Sequence, residues 1–156
     1  MALAHRLKSY LDRRGASFEL VAHPKAESTR EVASTAHVPD DHIAKGVLVR
    51  DAGGHALAVI PGEGWVKLEA LRADTGRAFE LASEAEVEAV FADCQPGAVP
   101  PLGPAYELET FVDEALLSLA WVYFEAGDHE SLVKVSGEAF QALLPGARRG
   151  HYSHED

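Results

Sequence analysis

The stretch Ile43-Ala44-Lys45-Gly46-Val47-Leu48-Val49-Arg50 decides the fold, because it has the pattern of a buried β-strand. Small and β-branched apolar residues dominate it, and the turn-forming segment Asp51-Ala52-Gly53-Gly54 follows directly. The next apolar run, His55-Ala56-Leu57-Ala58-Val59-Ile60, predicts a second strand. Two strands joined by so short a glycine-containing turn predict a β-hairpin.

Lys45 does not fit this apolar strand. A lysine is rarely buried without a partner, because removing the water around its ammonium group is costly. Two interpretations follow from the residues alone. Lys45 lies at the solvent-exposed end of the strand, or it points into a pocket where its charge has a function.

The rest of the chain predicts short elements on both sides of this hairpin. Residues 3–14 have helical spacing of apolar residues and end at Gly15, and Ser28 with Glu31 has the spacing of a capping box. Further strands are predicted at residues 17–21, 78–81, 108–112, 121–124 and 132–135, and further helices at 66–73, 83–91, 114–119 and 136–144. Because strict alternation of strand and helix is missing, the pattern predicts an α+β fold: a mixed, largely antiparallel sheet surrounded by short helices. One domain is expected over residues 1–146, followed by a polar, frayed C-terminal tail at residues 147–156.

Composition limits the function. The 156 residues include 14 Lys+Arg and 25 Asp+Glu, which gives a net charge of −11 and argues against broad binding of a nucleic-acid duplex. No apolar run approaches the roughly 20 residues that span a bilayer, and the N-terminus lacks the pattern of a secretory signal. The single cysteine, Cys94, excludes an intramolecular disulfide and a multi-cysteine zinc site. A cytoplasmic protein that binds neither DNA nor membranes is expected.

Residues 94–104 form the most irregular stretch, with four prolines and two glycines in eleven residues. Such a composition excludes a helix or the interior of a sheet. The pattern Gly97-x-x-x-Pro101-x-Gly103 is typical of a loop that presents backbone N–H groups to an anion or a developing oxyanion. A surface loop shaped only by proline is the alternative.

Other polar residues each allow a functional and a structural interpretation. His129, in Gly127-Asp128-His129 between two apolar strands, is a general acid/base or substrate-holding residue, or simply part of a hairpin turn. Cys94 lacks an identifiable activating base, which favours a structural role over a nucleophilic one. The histidines of the tail, His151 and His154, have no further ligand motif nearby, so that no metal and no cofactor is expected.

Taken in order, these landmarks resemble the YbaK/ProX-type aminoacyl-tRNA deacylases, which are similar to the editing domain inserted in bacterial prolyl-tRNA synthetases. The landmarks are His23-Pro24 after the first helix, Ala44-Lys45 at the start of a strand, the Gly97–Gly103 pattern, and Gly127-Asp128-His129-Glu130-Ser131-Leu132 before the last strand and helix. The resemblance covers about residues 3–145. It implies a barrel-like sheet core and a free-standing trans-editing enzyme that hydrolyses the ester of mischarged tRNA.

The resemblance also implies roles for individual residues. Lys45 matches the main catalytic residue of the family, Gly97, Pro101 and Gly103 match the loop that shapes the substrate pocket, and His129 matches a position near that pocket. The implied partners are the 3′ CCA end of mischarged tRNA and prolyl-tRNA synthetase or another synthetase, and a monomer or weak dimer is expected. A protein that binds only the 3′ end of the tRNA can have an acidic net charge, because it contacts few phosphates.

Two departures leave the amino acid unassigned. Gly46 follows the lysine where members active on alanyl-tRNA(Pro) carry asparagine, and the turn Asp128-His129-Glu130 differs from the basic turn of Cys-tRNA(Pro) deacylases. A non-catalytic module of the same fold, which binds an aminoacyl group, a nucleotide or a protein without turnover, is the alternative function.

Overall fold

The computed structural model describes residues 3–23, 33, 36, 38–62, 64–95 and 98–154. Its strands are β1 (Glu19–Ala22), β2 (Ala44–Asp51), β3 (Gly54–Pro61), β4 (Trp65–Val66), β5 (Glu80–Leu81), β6 (Glu109–Asp113), β7 (Trp121–Glu125), β8 (Ser131–Ser136), β9 (Arg148–Gly150) and β10 (Ser153–His154). Its α-helices are α1 (His5–Arg14), α2 (Leu68–Thr75), α3 (Glu84–Val90) and α4 (Gly137–Ala142). Short 3₁₀ helices span Asp40–His42, Gly103–Tyr106 and Glu114–Ser118.

The predicted hairpin is the centre of the larger sheet. β2 and β3 pair antiparallel along their whole length, from Ala44 opposite Pro61 to Asp51 opposite Gly54. The sheet has the order β5-β2-β3-β6-β9, in which β6 runs parallel to both β3 and β9. A smaller antiparallel sheet has the order β1-β8-β7, and a parallel bridge between Ile43 and Tyr123 joins the two sheets.

Both faces of this hairpin are buried, which explains its nearly continuous apolar sequence. Successive side chains of a strand point to opposite faces. On one face, Leu57 and Val59 pack in a cluster that contains α1, whereas Ala58 and Ile60 pack in a second cluster with Phe111 of β6. The hairpin is therefore enclosed by core on two sides, and access to it is left only along strand edges.

The predicted α+β class, with mixed and largely antiparallel sheets, is confirmed. The first helix ends at Gly15, which adopts a left-handed conformation with φ 63°, and Ser83 forms the predicted capping box with Glu86. The element predicted at residues 114–119 is a 3₁₀ helix capped by Asp113. The predicted capping box at Ser28 and Glu31 lies outside the described residues.

The prediction that residues 147–156 fray is wrong for the described part of that segment. β9 extends the larger sheet and β10 pairs with β4. Asp113, itself 1% exposed, accepts hydrogen bonds through Oδ2 from Tyr152 N at 2.9 Å and Ser153 Oγ at 2.8 Å. Tyr152 is 1% exposed and donates from its hydroxyl to Asp74 Oδ2 at 2.6 Å. These long-range contacts order a segment whose local sequence carries no sign of structure.

The helices are short. Within the part of the chain that the structure describes, none has both the length and the apolar character needed to cross a bilayer.

Candidate functional site

A gap along the free edge of β2 creates a cavity. β2 pairs with β5 only from Val49 onward, and the bridge to β7 is made by Ile43, so that residues 44–48 have no strand partner on that side among the described residues. A cavity of about 310 Å³ lies in the gap. It is lined by residues 43–48, Leu81, Ala82, Val87, Val99 and Glu125.

Lys45 lines this cavity, as the pocket interpretation of the sequence predicts. Its Nζ donates a hydrogen bond to the carbonyl oxygen of Gly64 at 2.8 Å and lies 5.5 Å from the ring centroid of Trp65. Burial lowers the pKa of the Lys45 amine below its ordinary value, because the charged form loses solvation. An anion bound beside Nζ would restore the stability of that charge.

The C-terminal segment holds β4 in place, and the Lys45 ammonium group packs against β4 and the residue before it. Trp65 of β4 pairs with His154 of β10, and Lys67 N donates to the carbonyl oxygen of Tyr152 at 2.6 Å. The approach is close, since a Cβ added at Gly64 would lie 3.2 Å from His154 O. Trp65 remains 56% exposed beside Lys45 and offers an aromatic face to solvent.

Gly46 brings backbone groups to the cavity. Leu48 O accepts a hydrogen bond from Ala82 N at 3.1 Å on the β5 side of β2. Backbone directions alternate along a strand with a period of two, so the N–H and C=O of Gly46 point to the same side, where the cavity lies. A Cβ at Gly46 would be 3.2 Å from Pro101 Cα and 3.4 Å from Val99 Cγ1. The proline-rich loop therefore packs closely on Gly46. A residue with a side chain at position 46 would push the loop away from β2.

The loop residues singled out in the sequence have different surroundings. Gly97 lies outside the described residues. Pro101 is buried against Gly46, while Val99 is the loop residue that lines the described part of the cavity. Gly103 packs under β6, where an added Cβ would overlap Thr110 Oγ1 and lie 3.0 Å from Leu108 O. The need for glycine at position 103 thus comes from packing of the loop on the sheet.

His129 lies in the turn between β7 and β8. It is 8% exposed and has a left-handed backbone with φ 60°. Asp128 fixes this turn by accepting hydrogen bonds from Glu130 N at 2.9 Å and Ser131 Oγ at 3.2 Å. His129 is not among the described residues that line the cavity, and its role in substrate binding stays a prediction.

Cys94 is unsuited to nucleophilic attack. Its Sγ donates to Asp93 Oδ1 at 3.4 Å and lies 3.4 Å from Tyr106 Oη, which donates to the same carboxylate oxygen at 2.9 Å. Burial, together with the negative charge of Asp93, raises the pKa of the Cys94 thiol to about 12. The reactive species of a cysteine is the thiolate, which is scarce at neutral pH with such a pKa.

Glu125 is a cavity residue that sequence analysis missed. One of its carboxylate oxygens, Oε2, is buried and has no hydrogen-bond partner among the described residues. Burial and, to a smaller extent, the charge of Asp128 raise the pKa of Glu125 to about 7. Its signal in the sequence is the same as that of Lys45, a charged residue at the end of an apolar strand, here Trp121-Val122-Tyr123-Phe124.

Groups able to hold a metal ion do not gather at this site. Within the described ranges, no three His, Cys, Asp or Glu side chains lie close enough together to do so.

Comparison with solved structures confirms the fold. The hypothetical protein APE2540 is 25% identical, and the match covers 96% of this chain and 100% of that one with a TM-score of 0.84. A candidate trans-editing enzyme for prolyl-tRNA synthetase is 24% identical, and the match covers 97% of this chain and 96% of that one with a TM-score of 0.83. No curated protein matches the chain.

The family model of the aminoacyl-tRNA editing domain matches residues 23–143. This span contains β2 with Lys45, the described part of the proline-rich loop and the turn that carries His129. The chain belongs to the aminoacyl-tRNA editing domain family.

Proposed function

We propose that this protein is a trans-editing deacylase, which hydrolyses the ester bond between an amino acid and the 3′ end of a mischarged tRNA. The observation that carries the proposal is the position of Lys45. In a chain of the editing family, Lys45 lines the cavity at the open edge of β2, and its partly desolvated ammonium group lies beside an exposed tryptophan.

Lys45 would act as a clamp on the end of the tRNA. A lysine ammonium binds phosphate as a point charge, and the terminal nucleotide brings a phosphate and ribose hydroxyls close to the ester. Trp65 supports this role because an exposed aromatic ring beside a cation is a typical platform for an unpaired base. The terminal adenine would stack on Trp65 while Lys45 contacts the adjacent phosphate or ribose.

The reaction needs positioning more than a strong nucleophile, because an aminoacyl ester is already activated. The oxygen of a water molecule attacks the ester carbonyl carbon, either directly or with help from the neighbouring ribose hydroxyl. The bond from that carbon to the ribose oxygen then breaks, the ribose oxygen takes up a proton, and free amino acid and tRNA leave. Negative charge develops on the carbonyl oxygen between these steps.

Backbone N–H groups would stabilise that charge. The candidates are Gly46, whose N–H points toward the cavity, and the Gly97–Gly103 loop, whose described part packs on Gly46. Loss of one such donor typically costs about 3 kcal/mol of transition-state stabilisation. In this proposal Pro101 and Gly103 set the position of the loop, and His129 holds the substrate from the β7–β8 turn.

The proposed partners follow from the same site. The 3′ CCA end is the part of the tRNA that the cavity would hold, and prolyl-tRNA synthetase or another synthetase would supply the mischarged product. We propose that the protein acts as a monomer or weak dimer in the cytoplasm.

A panel of mischarged tRNAs tests the proposal. The wild-type protein is expected to release amino acid from at least one of them, and Lys45→Met, which keeps the side-chain length but removes the charge, is expected to abolish the activity. Lys8→Ala is the matched control, since Lys8 lies on α1 and pairs with Asp12 at 2.9 Å. Absence of hydrolysis above the spontaneous rate across the whole panel would refute the proposal.

The same panel separates the alternative function. If the wild-type protein binds an uncleavable, amide-linked aminoacyl-adenosine but leaves every ester intact, it is a binding module of the editing fold. The high pKa of Cys94, the one cysteine of the chain, is compatible with that alternative, because it removes the only thiol nucleophile.

A further inference from the structure

We propose that Glu125 is the specificity residue that receives the α-ammonium group of the aminoacyl moiety, so that this site accepts esters with a free amino group and rejects N-acylated ones. The inference rests on the proposed deacylase function and adds to it a recognition role for a residue on β7. It follows from the position of Glu125 in the cavity, its unpaired oxygen and the charges around it.

Glu125 and Lys45 both line the cavity beside the junction of the two sheets. Ile43 and Tyr123 form a parallel bridge, and Lys45 and Glu125 are each two residues further along their strands. Side chains alternate along a strand, so Lys45 lies on the same face of its strand as Ile43, and Glu125 on the same face as Tyr123. The cavity consequently has a cationic residue on its β2 wall and an acidic residue on its β7 wall.

Lys45 and Glu125 do not form an ion pair with each other. Lys45 Nζ is directed to the carbonyl oxygen of Gly64 and the ring of Trp65, on the β4 side of the cavity. Buried Oε2 of Glu125 lacks a hydrogen-bond donor in the described part of the chain. An unpaired buried carboxylate oxygen is costly, and rotation of the Glu125 carboxylate toward a donor on a ligand in the cavity would offset that cost.

The surroundings of Glu125 select a cation rather than a neutral donor. The charged group that acts on it is the carboxylate of Asp128, in the turn after β7, while Lys45 lines the same cavity with its ammonium group turned toward Gly64. Asp128 adds negative potential, and together with burial it raises the pKa of Glu125 to about 7. A bound ammonium would oppose both effects by pairing with the carboxylate, whereas a neutral group would leave the charge unbalanced.

The aminoacyl ester offers one cation at the required place. Its α-ammonium nitrogen is bonded to the α-carbon, which bears the ester carbonyl. All other lining side chains are apolar, among them Val47, Leu81 and Val87. An ammonium group entering this space needs a counter-ion. Glu125 supplies it from the wall opposite Lys45, so that a phosphate and an ammonium are held by opposite walls with the ester between them.

The test compares substrates with and without this charge, and the change in their ratio between wild-type protein and variant isolates the part that depends on Glu125. Initial rates are measured for alanyl- and cysteinyl-tRNA and for their N-acetyl derivatives, with wild-type protein, Glu125→Gln and Glu130→Gln. Glu125→Gln keeps the side-chain shape and removes the charge, and Glu130 is an exposed glutamate of the adjacent turn that gives the same change in net charge. Far-UV circular dichroism checks that each variant folds.

The wild-type protein and Glu130→Gln are expected to prefer the free amine over its N-acetyl derivative by about 10- to 100-fold in kcat/KM, which corresponds to loss of one charged hydrogen bond. Glu125→Gln is expected to lose most of that preference by hydrolysing the free amine more slowly, with little change toward the N-acetyl ester. Equal rates for both substrates with the wild-type protein overturn the inference, and this result needs no variant. An equal loss toward both substrates in Glu125→Gln overturns it as well, because the residue then acts independently of the amino group.

Failure of the deacylase function gives a different result. In that case the wild-type protein hydrolyses none of the four esters, and binding of amide-linked alanyl-adenosine is compared with binding of its N-acetyl derivative. A preference for the free amine that disappears in Glu125→Gln supports the recognition role without catalysis. Equal binding of the two analogues contradicts it.

Discussion

At the scale of single residues, Glu125 makes stability depend on pH. Its pKa is raised from an ordinary value of 4.5 to about 7, so the folded state favours the protonated carboxyl. The stability due to this preference is complete below pH 4.5, falls as the pH rises toward 7, and is absent above it. The full change is about 3 kcal/mol at most, since each pKa unit corresponds to about 1.4 kcal/mol.

Glu125→Gln removes this titration while Asp128 and Lys45 remain in both proteins. We therefore expect the variant to gain stability over the wild-type protein between pH 5 and pH 8, by about 2 kcal/mol. Urea unfolding at both pH values measures the difference. Parallel pH dependence of the two proteins would show that Glu125 ionises as freely in the folded state as in the unfolded state.

Cys94 gives a second prediction at this scale. Because its thiol is held between Asp93 and Tyr106 and has a pKa of about 12, Cys94→Ala is expected to keep full deacylase activity. The same change removes a partly buried sulfur and is expected to cost about 1–2 kcal/mol of stability. Loss of activity in a variant that remains folded would restore the nucleophile interpretation.

The place of Lys45 in the cavity was predictable from the sequence, because its charge interrupts an apolar strand; its role stays a prediction. Glu125 has the same kind of signal, but its significance depends on β7 lying opposite β2, which no local pattern encodes. Trp65 lies in a two-residue strand that forms only through β10. Residues of the candidate site that are brought together by long-range pairing were therefore beyond sequence analysis, whereas those inside one long strand were not.

Among the elements, the β2–β3 hairpin was predictable because its pattern and its turn are local. The order of the C-terminal segment was not, because it depends on the buried carboxylate of Asp113, roughly forty residues earlier. The cavity at the edge of β2 has a similar origin. It exists because β5 is only two residues long and covers β2 from Val49 onward, which alternation of apolar residues does not reveal.

Tyr152 tests whether the C-terminal segment supports the site. Tyr152→Ala is expected to lower stability by about 3–5 kcal/mol, because the ring is fully buried against Phe111. It should also reduce deacylase activity, since β10 holds β4 beside Lys45. Tyr152→Phe is the matched control, which keeps the ring and loses only the hydroxyl with its hydrogen bonds to Asp74 and Arg148, at about 1 kcal/mol.

Urea unfolding and initial rates, both at saturating and at low substrate concentration, measure these effects. If Tyr152→Ala lowers stability but leaves activity unchanged in the folded fraction, the segment stabilises the fold without supporting the site.

At the scale of the whole molecule, a net charge of −11 limits how the protein holds tRNA. If Lys45 makes one phosphate contact, the logarithm of affinity should fall with the logarithm of salt concentration with a slope of about −0.7, the value per phosphate for single strands. Lys45→Met should flatten the slope, and Lys8→Ala should leave it unchanged. The slopes are obtained from KM values measured at salt concentrations from about 50 to about 200 mM. A value several times steeper would show that the tRNA is contacted over a wide surface.

The pairing of β4 with β10 has a consequence for biosynthesis. The ribosome makes residues 65–66 long before residues 153–154, yet each pair of residues is the strand partner of the other. The β2–β3 hairpin can form as soon as it leaves the exit tunnel, but the wall that positions Lys45 has to wait for the distant segment. Nascent chains that have a folded hairpin would consequently lack this wall, so that the candidate site is completed late in synthesis, after most of the core has formed.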